Sequence, residues 1–119
     1  MGWYNGERKD GKNMSVIAKD LYGLVHYLYG VPYTGSLQGM RYYVAREPLA
    51  NVFFEKERGE ATLMVKIWRG PLSYDKTPAE EMIVKEFPFE EASLSEIADY
   101  LNAMYEERPD YWAEGKKLL

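Results

Sequence analysis

Apolar residues recur at helical spacing near both ends of this chain, with strand-like runs between them. Met14, Ile17, Ala18, Leu21, Leu24, Val25 and Leu28 follow the i, i+3, i+4, i+7 pattern and predict a helix over about residues 14–29. Asn13 or Ser15 supplies an N-cap oxygen, and Gly30 followed by Pro32 ends the run. Gly23 sits inside it at a cost of about 1 kcal/mol relative to alanine. On this wheel His26 and Lys19 point away from the stripe, so His26 reads as a solvent-facing histidine. A second stripe, Leu94, Ile97, Leu101 and Met104, predicts a helix beginning at Ser93, where SLSE places Glu96 in capping-box position. Arg108 and Pro109 break it. Residues 109–119 then read as a short terminal helix that needs Tyr111 and Trp112 to dock.

Between the helices the pattern changes period. VPYTGSLQG at 31–39 reads as a turn-rich connection. Four strands are predicted after it in outline: about 40–46, 49–56, 61–69 and 81–87. The second and third are joined by Glu57, Arg58, Gly59 and Glu60 as a hairpin. Pairing Lys56 with Ala61 sets Phe54 opposite Leu63, Val52 opposite Val65 and Ala50 opposite Ile67, which gives one apolar face. The expected fold is α+β: a two-layer sandwich in the order α-β-β-β-β-α, an antiparallel sheet of three to four strands with two helices on one face.

That register also assigns the other face. Phe53, Met64, Lys66 and Trp68, with Arg41 and Tyr43 from the first strand, interleave large rings with cations where a water-facing sheet would alternate to polar residues. Interfaces favour such a composition, so these six residues are the candidate interface. Its expected cover is a protein partner, a second copy of the chain, or the N-terminal arm at 1–12 with Trp3 and Tyr4.

Composition narrows the rest. The chain has 119 residues, the length of a single domain, and 11 tyrosines whose amphipathic rings suit half-wet surfaces. Residues 1–79 carry 11 basic and 8 acidic side chains, net +3, whereas residues 80–119 carry 4 basic and 11 acidic, net −7. The overall −4 argues against general duplex binding, although Tyr43, Phe53 and Trp68 with Arg41 and Lys66 resemble a single-strand RNA platform. Glu96, Asp99, Glu106 and Glu107 form a secondary candidate, an acidic surface able to meet a basic partner. With no cysteine and one histidine, cysteine-based and multi-histidine metal sites are excluded, and no cofactor motif is present. No catalytic constellation emerges either. Neither a signal peptide nor an apolar span is apparent, which points to a cytoplasmic, non-membrane domain.

The stretches ERKDGKNMSVIAKDLYGLVHYLYGVPYTG and WRGPLSYDKTP…FPF resemble small proteins of conjugative elements, plasmids and phages of Gram-positive bacteria. This group has no motif of known function, so the resemblance transfers no residue role. It implies a setting in which small acidic proteins inhibit host defence enzymes. The expected function is a non-enzymatic protein-binding or regulatory domain. An acidic inhibitor of a nucleic-acid-processing enzyme is the first alternative, and a small RNA or single-stranded DNA binder the second.

Overall fold

The computed structural model describes residues 15–52, 54, 56 and 59–116. Phe53 and the arm at 1–12 lie outside the described residues. Four strands, β1 (Tyr33–Leu37), β2 (Met40–Glu47), β3 (Thr62–Arg69) and β4 (Ile83–Pro88), form one antiparallel sheet in the order β1-β2-β3-β4. Two short helical segments precede it, a 3-10 turn at Ala18–Leu21 and α1 (Leu24–Leu28). Two helices follow, α2 (Ala92–Glu107) and α3 (Pro109–Ala113). The α+β class and the helix–strands–helix order match the expectation.

Alternation along the strands sends Leu37, Met40, Tyr42, Val44, Leu63, Val65, Ile67 and Phe87 to one face. There they form a continuous core with Leu94, Ile97, Ala98 and Leu101 of α2, Trp112 of α3, and Leu21 and Tyr27 from the N-terminal segments. Helices therefore cover a single face of the sheet.

The strand register corrects the sequence reading. The partner of β3 is β2 over eight positions, with Tyr42 opposite Ile67, Val44 opposite Val65 and Arg46 opposite Leu63. The described residues of the 49–56 segment, 49–52, 54 and 56, lie in no strand. Tyr42 and Val44 set far more apolar volume opposite β3 than Ala50 and Val52 could, and Pro48 withholds a backbone donor at the start of the competing segment. Val52 is still buried, with its N–H donating to the Leu28 carbonyl, while Phe54 lies exposed.

Within the turn-rich 31–39 stretch, Tyr33–Leu37 also proves to be a strand. β1 and β2 are joined by Gln38 and Gly39, with φ 47° and 94°, the pair of positive values that a tight two-residue hairpin turn requires. At Gly39 a Cβ would also meet the Trp112 carbonyl oxygen, so glycine there lets α3 approach the turn.

The N-terminal helix is likewise broken. Tyr22 has φ 63°, and Gly23 is extended. Asn102 of α2 accepts from the Val16 N–H (2.7 Å) and donates to its carbonyl (2.8 Å), which holds residue 16 off the helical path, and Ile17 after it is extended. The two short segments then deliver Leu21, Tyr27 and Leu28 to the core and leave Ile17 and Val25 exposed. His26 does not face open solvent. It is half-buried, stacked on Tyr22 at 4.5 Å and edge-on to Tyr27. Helix α2 starts one residue before Ser93, which is buried within the helix, so the expected capping box is not formed. Beyond α2, Trp112 docks fully, its Nε1 donating to the Met104 carbonyl (3.1 Å).

Candidate functional site: a cleft on the second sheet face

With helices on one face, the other is where the sheet meets the β3–β4 connection. Trp68 ends β3 on this face, and its Nε1 donates to the Leu72 carbonyl at 2.8 Å, which turns the chain back over the indole. A 3-10 turn at Tyr74–Lys76 follows, steadied by Thr77 Oγ1 donating to the Ser73 carbonyl (2.8 Å). This sets the Tyr74 ring parallel to Tyr43, 4.2 Å between centroids and 10° between planes, and 5.9 Å from Trp68. Lys66 Nζ donates to the Tyr74 hydroxyl oxygen (3.0 Å) and lies 5.4 and 5.3 Å from the Tyr43 and Tyr74 ring centroids. Burial, together with the nearby Tyr74 hydroxyl, pushes the Tyr43 phenol up to about 12.

Beside this aromatic stack lies a cleft of about 530 Å³, bounded by Thr34, Gly35 and Ser36 of β1, Arg41 and Tyr43 of β2, and Ser73 to Asp75 of the folded-back loop. Arg41 also lines a second cleft of about 350 Å³ around the β1–β2 turn and Gly115. There Lys116 Nζ donates to Gln38 Oε1 at 2.8 Å. One guanidinium thus faces two adjoining depressions. A fixed fork of five donors placed there is suited to a carboxylate.

Of the candidate interface residues, Arg41, Tyr43, Met64, Lys66 and Trp68 do share this face. Their surroundings differ from one another. Trp68 is only 3% exposed, and the chain's own 70–76 loop folds back over it. Lys66 supports Tyr74, and Met64 lies beyond the cleft lining. Sequence reasoning missed Thr34, Ser36 and Tyr74 as members of this site. The residue–glycine pair Gln38–Gly39 was the available signal for β1. For Tyr74 the signal was a lone aromatic in an otherwise polar loop.

The secondary candidates, Glu96, Asp99, Glu106 and Glu107, are all exposed on α2, on the side turned from the sheet. Among the described residues no cluster of metal-ligating side chains occurs, and no helix is long and apolar enough to cross a membrane. The chain matches no family model, no curated protein and no solved structure.

Proposed function

We propose that this protein is a non-enzymatic binding module that recognises an extended protein segment through the second-face cleft. The observation that carries this reading is the cleft's construction: strand β1, which ends the sheet, forms one wall, and Arg41 and Tyr43 form the floor. A segment laid along β1 gains main-chain hydrogen bonds at the sheet edge, while alternate side chains reach the floor. Arg41 selects for an acidic side chain among them. The reading carries with it the cytoplasmic location expected from the cysteine-free composition.

A displayed random-peptide library selected on the wild-type protein tests this directly. The expected outcome is a set of peptides enriched in acidic residues that lose at least tenfold in affinity on Arg41→Glu while that variant keeps its melting temperature. Enriched peptides indifferent to Arg41→Glu, or no enrichment, would contradict the reading.

A second reading rests on the exposed acidic residues of α2. Glu96, Asp99, Glu106 and Glu107 offer a surface for a basic enzyme, the function favoured by the resemblance to mobile-element proteins. Inhibition of a nucleic-acid-processing enzyme, abolished by joint Glu106→Lys and Glu107→Lys, would support it. A single-strand nucleic-acid platform finds less support, because Tyr43 and Tyr74 already stack on each other and Trp68 is covered.

A further inference from the structure

Position 46 breaks the alternation that builds the core. Met40, Tyr42 and Val44 of β2 are apolar on the helix-side face, yet the next residue on that face is Arg46, only 4% exposed. Its Nη1 donates to the Pro48 carbonyl (2.7 Å), its Cζ lies 5.8 Å from the Phe89 ring centroid, and its Nε is buried without a hydrogen-bond partner. Neither contact carries negative charge. A lysine could escape such a site by losing its proton, but a guanidinium stays charged at any ordinary pH. Among the described residues no carboxylate pairs with it, and burying a charge without a counter-ion is costly, so the position calls for an anion.

The surroundings define which anion. Arg46 lines a cavity of about 330 Å³ whose other walls are Leu24, Leu28, Gly59, Ala61 and Phe89. Among the described residues of that lining Arg46 is the one charge, and the rest is apolar or backbone. Phosphate groups, with two charges and no apolar body, fit these walls poorly. We propose that this cavity binds a small monocarboxylate with an apolar body, its carboxylate on Arg46 and its chain or ring against Leu24, Leu28 and Phe89. The site lies on the opposite face of the sheet from the peptide cleft and stands independently of that reading.

Octanoate is the probe, with octanamide as its uncharged counterpart and acetate as the headgroup alone. Calorimetry should give one saturable site for octanoate, with a rise in melting temperature, and neither response for octanamide or acetate. Ala61→Leu, which fills the cavity and leaves Arg46 in place, should abolish the octanoate response. Arg46→Met should abolish it too, and should itself melt at or above the wild-type temperature, because an apolar side chain replaces an unpaired buried charge. Absence of saturable octanoate binding, equal binding of octanamide, or octanoate binding retained by Arg46→Met would overturn the proposal. So would an Arg46→Met protein that melts well below wild type or fails to fold, since Arg46 would then be compensated within the chain.

Discussion

Trp68 and Tyr74 are separated by a loop that reads as polar, yet together they close much of the second face. Because the indole is buried and its Nε1 bonded to Leu72, Trp68→Ala should cost about 3–5 kcal/mol in urea denaturation. A loss below about 1 kcal/mol would mean that the 70–76 loop does not hold its closed position. Tyr43 provides a second check through pH. A phenol is neutral when protonated, and Tyr43 is raised to about 12 in the folded chain against about 10 when unfolded. Its contribution to stability is therefore complete below about pH 10 and lost as pH rises towards 12. Burial pushes Tyr27 and Tyr42 in the same direction. Stability should consequently fall with rising pH above about 10, and ultraviolet difference titration should find several late-ionising tyrosines. Tyr74→Phe should bring Tyr43 part of the way back. An early, uniform tyrosine titration in the folded protein would contradict the packing described.

At the scale of elements, the long helix was the most legible part of the chain. Of the stripe Leu94, Ile97, Leu101 and Met104, α2 buries the first three and leaves Met104 partly buried, because one periodic face on an unbroken segment leaves no competing arrangement. The first stripe was equally periodic and misled. Asn102, eighty-six residues away in sequence, bonds both backbone groups of Val16, and no local pattern encodes that contact. Asn102→Ala should therefore cost about 1–3 kcal/mol by leaving these groups unpaired. It should also raise amide exchange across residues 16–21 first; unaltered exchange there would show that the clamp is not what orders the segment. Strand pairing failed for a related reason. Segment 49–56 offered β3 an apolar register, and β2 offered a larger one over eight positions. Pairing partners are chosen by competition across the whole sheet, whereas periodicity is judged one segment at a time.

For the molecule as a whole, the sheet divides two chemistries. Helices, core and the exposed carboxylates of α2 lie on one side; Arg41, Lys66 and the tyrosine stack lie on the other. The residues of the second face were legible from alternation along β2 and β3. The cleft itself was not, because its other wall comes from β1 and its rim from a loop that folds back through Tyr74. The central claim is that this cleft receives a protein segment. Amide chemical-shift mapping tests it most directly, with the labelled protein titrated by a peptide selected as described above. The account predicts that the largest perturbations gather on Thr34 to Ser36, Arg41, Tyr43 and Ser73 to Asp75, and that α2 stays unchanged. Perturbations centred instead on Glu96, Asp99, Glu106 and Glu107, with the cleft silent, would contradict it.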